Sequence, residues 1–186
     1  MKRVVRSSVF ETNSSSMHSI CINNGDTGNP FPDYEFYVSN KDGTIKIYDS
    51  DELCFGRYPF ELLATVYDKT KYAIASYGEE RFEEIQDIFA DAYNAINRET
   101  YFSEFDMPKK TWDWKTGKDL DTPVVEYGNI DHQSYGLLDR FLKKHKVTLK
   151  EFITNPKYVV VIDGDEYCTF QKYKALGLLP TLEVVE

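Results

Sequence analysis

Five consecutive apolar residues, Tyr158-Val159-Val160-Val161-Ile162, lie near the C-terminal end of this 186-residue chain. β-branched and aromatic side chains favour extended backbone. A run without polar alternation predicts a strand covered on both faces, hence central in a sheet. Helices to cover it are also present. Over Glu79 to Asn97, Phe82, Ile85, Ile88, Phe89, Ala92, Tyr93 and Ile96 recur at three- and four-residue steps, which predicts a helix with one buried stripe. Pro59 suits the first turn of another, through Phe60, Leu63, Val66 and Tyr67 toward Tyr77, ended by Gly78. A third is expected from about Tyr135 to Lys146, with Leu137, Leu138, Phe141 and Leu142 inward and Arg140, Lys143, Lys144 and Lys146 outward. Thr148 can cap a short helix through Phe152, with Glu151 completing a capping box.

Further strands are expected around these helices. The apolar residues on either side of Phe10 to Ser19 predict an opening hairpin, and Tyr34 to Val38 with Thr44 to Tyr48 a second, turning at Asp42-Gly43 with Ile45 and Ile47 on one face. Pro123 to Tyr127 reads as a strand. Tyr167 to Phe170 pairs with the apolar run around Asp163-Gly164-Asp165-Glu166, and Thr181 to Val185 adds an edge. Between them, residues 101–122 read as irregular. Trp112 and Trp114 are there either a core anchor or a contact surface, and the usual burial of large rings favours the anchor. The expected fold is therefore a single α+β domain over residues 1–186, an antiparallel or mixed sheet with two to four helices packed on it.

The polar residues concentrate in two short stretches. Glu11, Thr12, Asn13, Ser14, Ser15, Ser16 and His18 follow Val9-Phe10 and precede Ile20-Cys21-Ile22, a strand, polar turn, strand pattern. Such side chains satisfy backbone groups in a turn, and the same N–H and hydroxyl groups can hold an anion such as phosphate. Glu11 and His18 could then act as base and acid, with the imidazole near neutrality. The alternative is turn chemistry alone, with His18 half exposed. The second stretch, Gly128 to Ser134, brings Asp131, His132 and Ser134. If the fold unites the two, His18, His132, Glu11 and Asp131 form an acid-base set beside Asn13, Ser14, Ser15, Ser16 and Ser134 as ligand-binding groups. Asp163, Asp165 and Glu166 could bind magnesium, although a hairpin turn explains them better. No G-x-S-x-G, G-x-G-x-x-G or P-loop motif is present, so the usual hydrolase, dinucleotide and NTP signatures are missing, and no cofactor or metal is assigned.

The run Val9 to Ser19 resembles the opening of a family of Firmicutes and phage proteins without an assigned activity, in which an Arg, a VFETNSSS run and an HS pair recur. Ile130-Asp131-His132-Gln133-Ser134 and the stretch from Asn155-Pro156 to Asp165 resemble later blocks of that family. Met17 stands where the family has another Ser or Thr. The resemblance implies a phage or mobile-element setting.

Charge points to a partner class. The chain carries a net charge of −9, and most of it lies between Glu79 and Asp106, where nine acids face only Arg81 and Arg98. Glu79, Glu80, Glu83 and Glu84 fall in the first two turns of the predicted helix, where the macrodipole favours negative charge, and Asp87 and Asp91 follow them along it. They are either a solvated face or an acidic docking surface. General nucleic-acid binding is disfavoured by this charge, and a host protein or nucleoprotein complex with a basic surface is the better match. Cys21, Cys54 and Cys168 are far apart and odd in number, as in a reducing cytoplasm. No apolar run follows Lys2, Arg3 and Arg6, so neither a signal peptide nor a membrane span is expected. Two functions follow: an acidic protein that binds and inhibits a basic host defence or nucleic-acid-handling complex, as anti-CRISPR proteins do, or a small enzyme or binding protein for a phosphate-bearing substrate.

Overall fold

The computed structural model describes residues 17–25, 42–47, 50–56, 61–96, 101–113, 115–163 and 182–185. In chain order the strands are β1 (Met17–Asn23), β2 (Ile45–Lys46), β3 (Cys54–Phe55), β4 (Glu61–Leu63), β5 (Phe105–Asp106), β6 (Lys109–Asp113), β7 (Lys118–Val125), β8 (Asn129–Ile130), β9 (Tyr158–Asp163) and β10 (Leu182–Val184). The helices are α1 (Val66–Tyr77), α2 (Phe82–Ile96), α3 (Leu137–His145) and α4 (Leu149–Thr154). The fold is α+β, as the sequence predicts.

The main sheet has the order β10-β1-β9-β4 and is antiparallel throughout. Its axis is the apolar run. In β9, Val159 to Ile162 are at most 2% exposed, with Val161 opposite Ser19 on one side and Leu62 on the other. Alternation sends Val160 and Ile162, with Ile20 of β1, into the helix-covered core. Val159, Val161 and Cys21 are buried on the opposite face beside Leu62 and Ala64. β10 forms the expected edge.

Helix ends follow local chemistry. Thr65 caps α1: its hydroxyl oxygen accepts from the Asp68 N–H at 3.0 Å, and the hydroxyl donates to the Asp68 carboxylate at 2.7 Å. Gly78 stops it at φ 57°, its N–H bonded to the Ile74 carbonyl. Thr148 caps α4 by accepting from the Glu151 N–H. The predicted stripe of α2 is buried through Ile85, Ile88, Phe89 and Tyr93, but Ile96, in the last turn of the helix, is 56% exposed and does not belong to it; Phe89 meets the rings of Phe102 and Phe105 with both centroids 4.9 Å away. Gly128, at φ +76°, lies so close to Leu53 that a Cβ would strike its carbonyl oxygen and Cβ. That approach lets β8 run parallel to β3, Cys54 opposite Asn129 and Phe55 opposite Ile130.

Several expectations are corrected. Leu63 belongs to no helix: Glu61–Leu63 pairs with β9, and α1 begins only after Thr65. The acidic helix starts as a 3-10 turn, Gly78–Arg81, before α2 proper. Residues 101–122 are not irregular, since β5 pairs with β2 and β6 with β7. Trp112 is 50% exposed and anchors nothing in the core. The first arms of the two N-terminal hairpins, Pro59, Phe60, Trp114 and Tyr167 to Phe170 lie outside the described residues. Among the described residues, no helix is long and apolar enough to cross a membrane.

Candidate functional site

β1 and the loop after β8 are neighbours, so His18 of the first polar stretch and Ser134 of the second do meet. The backbone N–H of His18 donates to Ser134 Oγ at 3.3 Å, and both residues are buried. Ser134 ends a 3-10 turn, His132–Ser134, whose geometry Asp131 sets. The Asp131 Oδ1 accepts from the Gln133 N–H at 2.9 Å, and the Asp131 N–H donates to the Phe55 carbonyl at 2.9 Å, tying the turn to β3. From α1, Tyr72 closes the group: its hydroxyl lies 3.1 Å from His18 Nδ1, with ring centroids 5.7 Å apart.

Burial governs the electrostatics of this group. Loss of water holds His18 down at about 4, with the Asp131 carboxylate pulling the other way. The Tyr72 phenol is pushed well above its ordinary value by burial, against the Arg140 charge. Both side chains are therefore neutral at pH 7, and together they form a fixed hydrogen-bond chain. His18 is neither half exposed nor poised near neutrality, which corrects its expected role as a neutral-pH acid. His132 does not join it: the ring is 76% exposed, with Nδ1 3.6 Å from Asp131 Oδ1, whereas the Asp131 side chain is 7% exposed. Glu11, Asn13, Ser14, Ser15, Ser16, Asp165 and Glu166 lie outside the described residues. Among the described residues, no group of three or more His, Cys, Asp or Glu side chains is arranged to hold a metal.

The acidic face is a second candidate. Glu79 and Glu80 on the 3-10 turn and Glu83, Glu84, Asp87 and Asp91 on α2 are all exposed. Glu83, Asp87 and Asp91 follow one another at four-residue steps, a single line along the helix. Two acids are held by cations of the chain itself: Arg81 grips both Glu84 oxygens at 2.7 Å, lowering that carboxyl, and Lys150 Nζ reaches Asp91 Oδ2 at 2.8 Å. Beside the second pair, Val66, Ala92, Ala95, Ile96 and Thr154 line an apolar groove of about 380 Å³ between α2 and α4.

Two buried side chains that tie α1 to other elements were not singled out from sequence. Tyr72 is one. The other is Lys69, 0% exposed on α1, whose Nζ donates to the Asn155 carbonyl at 2.7 Å and sits 5.9 Å from the Phe152 ring centroid. Burial lowers it to about 7, with Asp68 opposing. Neither carries a sequence signal, since tyrosines and lysines on helices are ordinary. The chain matches no protein-family model, no curated protein and no solved structure.

Proposed function

We propose that this protein acts by binding, its acidic face docking on a basic surface of a host protein or nucleoprotein complex and blocking access to it. One observation carries the proposal: all six acids from Glu79 to Asp91 are exposed on one continuous stretch, while the same helix buries Ile85, Ile88, Phe89 and Tyr93 in the core. A rigid helix presenting a line of carboxylates imitates the spacing of charge on a nucleic-acid backbone, and such complementarity speeds encounter and selects partners. The groove beside Asp91 adds apolar contact at one end of the line. With the resemblance to phage proteins, a defence nuclease is the target class, and anti-CRISPR-like inhibition is its concrete form.

The test is DNA cleavage by purified CRISPR effector complexes and restriction nucleases with the protein added. The native chain should inhibit at least one of them. Glu80→Lys, Glu83→Lys and Asp87→Lys combined should remove the inhibition, and Tyr72→Phe should leave it intact. Inhibition that survives the triple reversal sinks the proposal.

A second reading, a site for a phosphate-bearing small molecule or substrate, is favoured by the bond that brings His18 of one polar stretch to Ser134 of the other. It requires Ser134→Ala to abolish phosphate-ester binding or turnover at unchanged fold.

A further inference from the structure

The row of α2 that carries Glu83, Asp87 and Asp91 at four-residue steps reaches Ala95 next, where an exposed side chain shrinks to a methyl group. There the apolar groove of about 380 Å³ between α2 and α4 opens, lined by Val66, Ala92, Ala95, Ile96 and Thr154 beside the Asp91 and Lys150 pair. Ala95 and Ile96 of this lining are exposed, and water held against such a surface is released when an apolar group covers it. Carboxylates and an apolar hollow therefore follow one another along one helix.

The polar side chains of the groove are already engaged. Lys150 Nζ pairs with Asp91 Oδ2 at 2.8 Å, and the Thr154 hydroxyl donates to the Lys150 carbonyl at 2.8 Å. What enters is therefore apolar, because a polar group would give up water for no new partner. Along the row the demand is reversed. Among the described residues no cation of the chain pairs with Glu83 or Asp87, so an incoming cation meets carboxylates that are not yet neutralised. Backbone chemistry selects the shape of the occupant. An extended segment laid on α2 would turn its own N–H and C=O groups toward a helix that has no edge to pair with them, whereas a helix satisfies its backbone internally and presents side chains alone.

We infer that the groove receives one large apolar side chain from a basic amphipathic helix of a partner protein, whose cations pair with Glu83 and Asp87. The inference rests on the docking of the acidic face proposed above and names the element that docks there. Glu83 to Ala95 spans about 18 Å along the α2 axis. On a second helix, basic residues at i and i+4 with an apolar residue at i+11 share one face and span about 16 Å, so all three meet their counterparts when the helix lies alongside α2. The apolar residue is the anchor, buried in a pocket, and the ion pairs on open surface set direction and register.

The experiment is an NMR titration of the full chain with two synthetic alanine-based helical peptides. Each carries Arg at i and i+4 and a single Leu, at i+11 in the first and at i+13, on the opposite face, in the second. Their charge is equal, so any difference between them reads the groove. The first should bind about tenfold tighter or more, shifting the amides of Ala92, Ala95 and Ile96. Ala95→Glu, at an exposed position, should remove the preference, and circular dichroism confirms its fold. Glu83→Lys combined with Asp87→Lys should weaken both peptides. Two peptides that bind alike, that fail to bind, or that keep their preference in Ala95→Glu would each overturn the inference. Equal binding that the charge reversal removes strikes the groove alone and leaves the acidic face as a docking surface; nuclease inhibition that survives charge reversal is the separate failure of the docking reading.

Discussion

Nδ1 of His18 lies 3.1 Å from the hydroxyl of Tyr72, a bond that joins the central sheet to α1 in the buried interior. It places two polar side chains where each would be costly alone, since an unsatisfied buried polar group carries its full desolvation penalty. Tyr72→Phe keeps the ring and removes the partner. The variant should lose about 1–3 kcal/mol of unfolding free energy, read as a lower urea midpoint at unchanged slope.

The same burial sets an acid limit. The unfolded imidazole takes a proton near 6.5, the folded one only near 4. Between those values unfolding binds a proton, so stability falls as pH drops through the window, and the whole window corresponds to about 3 kcal/mol. Urea denaturation from pH 7 to 4 should show this loss in the native chain and a much smaller one in His18→Gln, compared slope against slope.

Lys69 gives a second pH window from the same kind of group, a base held neutral by burial. Unfolded, it keeps its proton to about 10.5; folded, it releases it at about 7. Unfolding therefore takes up a proton between those values, and stability rises with pH across them, the burial penalty being complete below 7. Lys69→Met fills the same space without a charge. It should be more stable than the native chain at pH 7 by about 1–4 kcal/mol, with the rise toward pH 10 flattened. A variant less stable at every pH would show that the bond to the Asn155 carbonyl outweighs the penalty.

Gly128 is held at φ +76° with Leu53 pressed against it. Gly128→Ala meets both a strained backbone and a backbone collision, and should cost more than about 2 kcal/mol. Because β8 carries the chain into the Asp131 turn, the loss should also show as faster amide exchange at Ser134 and His18.

What could be read from sequence follows the range of the forces involved. Val159 to Ile162, the α2 stripe and the Thr148 cap depend on neighbours in the chain, and all three are found where expected. Leu63 carries the same apolar signal in a helix or a strand, and only its pairing with Val160 decides. The β6–β7 ribbon buries neither face, so it lacks the alternation that marks a strand. The two polar stretches did suggest a meeting place for His18 and Ser134, 116 residues apart. Tyr72 and Lys69 could not be foreseen, since what distinguishes them is the water they lack.

Ser134 and Tyr72 hold His18 from two sides, one through the backbone N–H and the other through the ring. If the strand position and the ring position are set together, loss of one hold loosens the other. Ser134→Ala and Tyr72→Phe combined should then cost less than the sum of the separate losses, with a coupling of at least about 0.5 kcal/mol. A double-mutant cycle by urea denaturation at pH 7 measures this directly. Strict additivity would mean that β1 fixes His18 unaided and that the Asp131 turn merely leans on it; coupling would make sheet, helix and turn one cooperative unit around a neutral imidazole.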